Sequence, residues 1–83
     1  MLNVSVISPE AVLFEGTTES VVAPAFDGEV GILTGHAPMM TLLGKGQLRV
    51  GAEGSGKRFQ VEGGFLQVVD DTVRVVTEHA SAL

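Results

Sequence analysis

Cysteine, tryptophan and tyrosine are absent from this chain of 83 residues, and basic residues are scarce. Without cysteine the chain can form no disulfide, no thiolate metal site and no thiol nucleophile. Five Lys and Arg against ten Asp and Glu give a net charge of −5, which argues against nucleic acid as a partner. The two histidines, His36 and His79, argue against a zinc site because such sites need more ligands.

Long hydrophobic runs are missing as well. No apolar stretch approaches the roughly 18 residues that a membrane-spanning helix needs. The first residues, 1–7, lack the basic start and apolar run of a signal peptide. We therefore expect no direct membrane insertion, and any link to a membrane must pass through another protein. The length predicts a single domain over residues 1–83, and the 45% of hydrophobic residues can supply its core.

What the sequence does contain is an alternation of apolar and polar residues with a period of two, which is typical of half-buried strands. This pattern predicts a hairpin between residues 48–50 and 59–62, joined by a flexible glycine-rich connector at residues 51–56. A second hairpin is predicted at Asp70-Asp71, because aspartate tolerates the left-handed backbone of a two-residue turn.

Glycine and proline mark the expected strand ends, at Gly16, Pro24 and Gly63-Gly64. His79 is expected in a mobile polar tail. Residues 39–43 fit either a short buried strand or one helical turn. No window carries the apolar stripe of an amphipathic helix. The sequence therefore predicts an all-β fold, a flattened β-sandwich or barrel of about ten short strands in two sheets.

One glycine-rich pattern resembles a phosphate-binding loop. Gly51, Gly56 and Lys57 have the spacing of that loop, but Arg58 stands where a Ser or Thr must bind Mg²⁺, and a strand follows instead of a helix. A hairpin tip is favoured over a nucleotide site. Because no nucleophile, base and acid converge in the pattern either, we expect no enzymatic activity, no cofactor and no small-molecule substrate.

Residues 27–43 are the strongest candidate for a binding segment, since functional loops combine backbone freedom with exposed side chains of mixed chemistry. Glu29 and His36 supply polar groups, and Met39, Met40 and Leu42 supply adaptable apolar surface. Pattern alone leaves open whether these apolar residues bind a partner or belong to the core.

The same segment carries two motifs, followed later by a glycine pair: Gly28-Glu29-Val30-Gly31-Ile32, Gly35-His36-Ala37-Pro38 and Gly63-Gly64. At this spacing the sequence resembles the N-terminal β-sandwich domain of the epsilon subunit of F-type ATP synthases, the delta subunit of mitochondria. The similarity runs from Leu2 to about Ala80. It is more specific than any argument from composition.

The resemblance implies a non-catalytic rotor subunit of the central stalk, which couples the gamma subunit to the c-ring during ion-driven ATP synthesis. It implies a peripheral membrane protein on the cytoplasmic face of the bacterial inner membrane, held there by the complex. By position in the family motifs, it implies contact with the c-ring at Glu29, Val30 and Gly31, and contact with gamma at Ser8, His36, Met39, Met40 and Leu42.

Two departures from the family pattern matter. Thr34 replaces a proline that is common before Gly35. The sequence also stops at Leu83, whereas most bacterial and chloroplast members continue into a two-helix C-terminal domain that can inhibit ATP hydrolysis. We therefore expect that helical hairpin, and its inhibitory activity, to be absent.

A lipoyl or biotinyl carrier domain is the alternative, because such domains are acidic β-barrels of similar length. They present the modified lysine at a tight hairpin tip within a D-K-A or M-K-M tripeptide. Neither tripeptide occurs, and Lys45 lies between Gly44 and Gly46.

Overall fold

The computed structural model of the protein describes residues 1–51 and 56–83. These residues form strands and no helix, so the all-β prediction is confirmed. The strands are β1 Leu2–Ile7, β2 Val12–Thr18, β3 Ser20–Ala25, β4 Gly28–Leu33, β5 Met39–Leu42, β6 Lys45–Val50, β7 Lys57–Val69 and β8 Thr72–Ala82. Residues 52–55, the middle of the connector predicted as a flexible hairpin tip, lie outside the described residues.

The strands hydrogen-bond in the order β2-β1-β8-β7-β6-β3-β4, with β5 paired to β7. The first part of β7, residues 57–62, pairs with β6, and residues 65–68 pair with β5. The sheet thus has two parts. The first layer contains β2, β1, the first half of β8, the second half of β7 and β5. The second layer contains the other halves of β7 and β8 with β6, β3 and β4.

The two layers face each other across one core. Val4 of β1 and Ile32 of β4, from strands far apart in the sheet order, belong to the same buried cluster. A flat sheet cannot bring such residues together, so the sheet folds over itself into a sandwich. In the described ranges 1–51 and 56–83 the strand count is eight within one continuous hydrogen-bonded sheet, rather than the predicted ten or so in two sheets.

Gly63 and Gly64 account for part of the difference in strand count, because they lie inside β7 and do not end a strand as predicted. Their φ angles are 73° and 103°, which L side chains rarely adopt. Before the pair the buried residues of β7 are Phe59 and Val61, and after it they are Leu66 and the next alternate residue, Val68. The glycine pair resets the alternation and lets one strand serve both layers.

Gly16 and Pro24 also lie inside strands, against the prediction that they end them. β2 continues through Gly16, which pairs with Val4 of β1. Pro24 pairs with Glu29 of β4 and lies beyond the two residues of β3 that pair with β6. A proline is tolerated there because the ladder with β6 does not require its missing N–H.

The β7–β8 hairpin has the predicted turn. Asp70 and Asp71 have φ angles of 49° and 58°, and positive values at both central residues are what a type I′ turn requires. The predicted hairpin between β6 and β7 is present too, with Leu48 opposite Phe59. His79 is exposed but lies within β8, paired with Glu62, so the expectation of a mobile tail is wrong.

Candidate partner-binding surfaces

Residues 39–42 form β5, so the strand interpretation of this segment is correct and the helical turn is not. Strand alternation separates the two methionines. Met39 is half-buried and packs against the core, whereas Met40 and Leu42 are 64% and 63% exposed. The adaptable apolar surface predicted here therefore consists of Met40 and Leu42, and Met39 contributes to folding.

Leu42 lies at one end of a line of apolar side chains that crosses the outer face of the first layer. Each of these residues is paired with the next across two neighbouring strands, in the order Leu42, Phe65, Val76, Ile7 and Val12. We call these five residues the apolar row. Its ends, Leu42 and Val12, are 63% and 57% exposed, and its centre is half-buried. With neighbouring strands about 4.8 Å apart, the row is roughly 19 Å long.

A line of side chains that are polar except for Met40 borders the apolar row on the same face. The adjacent lateral line consists of Met40, Gln67, Arg74, Ser5 and Glu15. At the other side of β5, Phe26 is 67% exposed, and its backbone N–H donates to the Leu42 carbonyl oxygen at 3.0 Å. An apolar centre with a polar border is the usual composition of a protein interface.

Sequence reasoning missed Phe65, Val76, Ile7 and Val12 as surface residues. Each lies on a strand whose other face is buried, and apolar residues on such strands read as core. The signal that could have identified Phe65, Val76 and Ile7 is their position directly beside a buried residue of the same strand, as with Ile7 after Val6. Only the register shows that they form one line.

Ser8 closes the turn between β1 and β2. Its hydroxyl donates to the Ala11 carbonyl oxygen at 3.3 Å, its backbone N–H donates to the same oxygen at 2.9 Å, and the residue is only 8% exposed. The structure places Ser8 directly after Ile7 of the apolar row. Ser8 therefore shapes the turn beside the row, and its contact with gamma stays a prediction.

His36 lies in the loop of residues 34–38 between β4 and β5 and is half-buried. Its backbone N–H donates to the Leu33 carbonyl oxygen at 3.1 Å, and its Nδ1 is 2.7 Å from the Ala37 carbonyl oxygen. The Gly35 N–H donates to Oδ1 of Asp71 at 2.7 Å. That bond places the His36 loop at the β7–β8 turn, at one end of the first layer.

The three residues predicted at the c-ring lie on β4, at the far edge of the second layer. They belong to the strand itself, since the turn before it is formed by Phe26 and Asp27. Val30 packs against the core, and a Cβ on Gly31 would meet nothing within 4 Å. Glu29 Oε2 is 3.5 Å from an Nη of Arg49, with the two side chains 61% and 44% exposed.

Other classes of site receive little support from the described residues. Lys45 lies on β6 paired with Glu62, away from the hairpin tip where a carrier domain presents its lysine. Lys57 begins strand β7, whereas a phosphate-binding loop leads into a helix. In the ranges 1–51 and 56–83, His, Asp and Glu side chains form no group of three that could hold a metal. The same ranges contain no helix long and apolar enough to cross a bilayer.

Comparison with known proteins decides the family. A family profile described as "ATP synthase, Delta/Epsilon chain, beta-sandwich domain" matches residues 1–82. The chain belongs to this family. The resemblance seen in the sequence motifs is thereby confirmed, and the two-layer fold is the one that the delta/epsilon family description names.

Relatives of the delta/epsilon family support the assignment at substantial identity. The ATP synthase epsilon chain of Leptospira borgpetersenii serovar Hardjo-bovis (strain JB197) is 46% identical over 80 residues, which are 96% of this chain and 63% of that protein. The epsilon chain of Caulobacter vibrioides is 38% identical over 79 residues, which are 95% of this chain and 92% of that protein. The chain thus spans less than two thirds of the Leptospira relative.

Solved structures share the fold. A chain of the Euglena gracilis mitochondrial ATP synthase, in a structure of OSCP, F1 and the c-ring, superimposes with a TM-score of 0.87 at 24% identity, over 98% of this chain and 52% of that one. A chain from the central stalk and c-ring of the Tetrahymena thermophila enzyme gives a TM-score of 0.78 at 17% identity, over 96% and 65%. At these identities the agreement concerns the fold.

Proposed function

We propose that this chain is a non-catalytic rotor subunit of an F-type ATP synthase, which joins the gamma subunit to the c-ring in the central stalk. The observation that carries the proposal is the apolar row, a partly exposed line of side chains on the outer face of a delta/epsilon β-sandwich. Relatives named as ATP synthase epsilon chains support the same role.

The gamma subunit is the proposed partner of the outer face of the first layer. A row of roughly 19 Å matches a helix of about 13 residues, given strand spacings of about 4.8 Å and a helical rise of 1.5 Å per residue. Leu42 and Met40 at the edge of that face are its most exposed apolar groups. The His36 loop borders the same layer at the β7–β8 turn. These features support a gamma contact around Met40, Leu42 and His36.

The c-ring is the proposed partner of the edge strand β4. Its Glu29 carboxylate is exposed and charged, which suits a polar loop of another subunit. β4 and the apolar row lie in different layers of one continuous hydrogen-bonded sheet around one core. Because a close-packed core resists shear, force applied at one surface is transmitted to the other without any chemical step.

The proposed location follows from the proposed partners. A subunit held between gamma and the c-ring is a peripheral membrane protein, and in a bacterium it faces the cytoplasm. The proposed role of the β-sandwich is coupling alone. Inhibition of ATP hydrolysis is not proposed for residues 1–83.

Binding and coupling measurements test the proposal. The purified protein should bind purified gamma, and it should join gamma to detergent-solubilised c-ring in a three-component pull-down. Vesicles reconstituted with the ATP synthase should lose ion-driven ATP synthesis when this subunit is omitted and regain it on addition. Full coupling without the subunit, or failure to bind either partner, would contradict the proposal.

Glu29→Gln should weaken binding to the c-ring by up to about fivefold at low salt, since an exposed charge contact contributes about 0.2–1 kcal/mol. The free energy of unfolding should change by less than about 0.5 kcal/mol, because the Glu29–Arg49 pair is solvent-exposed. Glu15→Gln on β2 is the matched control, with the same change of charge at the opposite edge of the sheet. Equal effects of the two variants on c-ring affinity would remove Glu29 from the interface.

A further inference from the structure

The His36 loop is linked to the rest of the fold by a side chain distant in sequence. Gly35 N–H donates to Oδ1 of Asp71 at 2.7 Å, a short bond between residues 36 positions apart. The other hydrogen bonds of this loop in the described part of the chain are local, from His36 to Leu33 and to Ala37. The carboxylate of Asp71 therefore supplies the long-range hydrogen bond that fixes where the loop lies.

Asp71 is itself held firmly by the first layer. It occupies the second central position of the β7–β8 turn with a φ of 58°. Its carbonyl oxygen accepts a hydrogen bond from the backbone N–H of Asn3 at 2.8 Å, which ties the turn to β1. The carboxylate is thus presented from a point where three adjacent strands of the first layer meet, β1, β8 and β7.

Gly35 is the residue of this loop with the greatest backbone freedom. Its φ is 87°, in the region open to glycine, and Thr34 and Ala37 of the same loop are exposed. Glycine loses more conformational freedom on ordering than any other residue. A charge-assisted bond to its N–H is a direct way to offset that entropy.

We propose that Asp71 is a positioning residue for partner binding: its carboxylate holds the His36 loop against the end of the first layer, so that His36 and the apolar row meet gamma as one preformed surface. The inference rests on the proposed function, because it assumes that this surface binds gamma. A loop ordered before binding needs no ordering entropy at the moment of association. Asp71 acts through the loop and need not touch gamma.

Three substitutions in the β7–β8 turn test the role. Asp71→Gly removes the carboxylate from a turn position that suits glycine, and Asp70→Gly makes the same change of charge one residue earlier, where φ is 49°. Asp71→Asn keeps an oxygen that can accept from Gly35 and tolerates the turn conformation. The measurements are the hydrogen-exchange rate of the Gly35 amide, the affinity for purified gamma and the thermal midpoint of each variant.

Asp71→Gly should raise the Gly35 exchange rate and weaken gamma binding, each by about three- to tenfold, as expected for loss of one hydrogen bond to a charged but exposed group. Asp70→Gly should stay within about twofold of the unmodified protein in both measurements. Asp71→Asn, which keeps the hydrogen bond without its charge, should lie between Asp71→Gly and the unmodified protein, and the two glycine variants should melt at similar temperatures.

Two results would overturn the positioning role alone. One is faster Gly35 exchange in Asp71→Gly with a gamma affinity equal to that of Asp70→Gly. The other is weaker gamma binding with Gly35 exchange unchanged, because the effect would then bypass the loop. Failure of the unmodified protein to bind gamma would instead overturn the proposed function.

Discussion

Gly64→Ala is expected to destabilise the fold by at least about 3 kcal/mol, a large part of the roughly 5–15 kcal/mol that stabilises a typical domain. A Cβ on Gly64 would lie 2.7 Å from the Thr77 Cα and closer still to the Val76 carbonyl oxygen. Both contacts are with backbone of β8, which cannot move without breaking its pairing with β7. The φ of 103° adds strain for any L side chain.

Gly31→Ala is the matched control for the glycine substitution. Gly31 also lies in a strand, but an added Cβ meets nothing within 4 Å and its φ is not positive. That variant should be as stable as the unmodified protein, or slightly more so, by up to about 1 kcal/mol. Denaturant unfolding followed by circular dichroism gives both free energies. Similar values for the two variants would show that β7 does not depend on a glycine where it changes layer.

The double substitution Met40→Asp with Leu42→Asp should weaken binding to gamma by at least about 100-fold. Each change removes an apolar side chain whose burial is worth about 1.5–3 kcal/mol and places a carboxylate where water is to be excluded. Because Met40 and Leu42 are 64% and 63% exposed in the free protein, folding should survive. Titration calorimetry with purified gamma measures the loss directly.

Leu33→Asp tests whether the loss of gamma binding is specific to Met40 and Leu42 or follows from any exposed Leu-to-Asp change. Leu33 is also 63% exposed and lies on an edge strand, but that strand is β4 of the second layer. It should retain gamma affinity within about threefold, because the variant keeps the Leu33 carbonyl oxygen that accepts from His36, and a surface substitution outside the apolar row usually costs less than about 0.5 kcal/mol. If Leu33→Asp impairs gamma binding as severely as the double variant, the outer face of the first layer is not the gamma surface.

The elements predicted correctly from the sequence are those set by local chemistry. The Asp70-Asp71 turn and the alternation around Leu48 and Phe59 depend on residues close together in the chain, and the structure has both hairpins. Gly63-Gly64 was misinterpreted because a glycine pair gives the same local signal whether it ends a strand or redirects it. What decides between the two is the backbone of Val76, which packs against Gly64 and is invisible to a local pattern.

The binding surfaces were harder to predict from the sequence than the hairpins. Glu29 and His36 were identified through family motifs, and their partner contacts remain predictions. Met39 and Met40 could not be separated until alternation along β5 assigned them to opposite faces. The apolar row required knowledge of register, because Ile7 and Val76 become neighbours only through the pairing of β1 with β8.

That parallel pairing also has a consequence for synthesis of the protein. Of the eight described strands β1 is made first, whereas β8, the strand that joins it to the rest of the sheet, is made last of the eight. At translation rates of about 5–20 residues per second, the β1–β2 hairpin waits for about 3 to 13 s before β8 can pair with it. The first layer is therefore completed only after translation has passed β8.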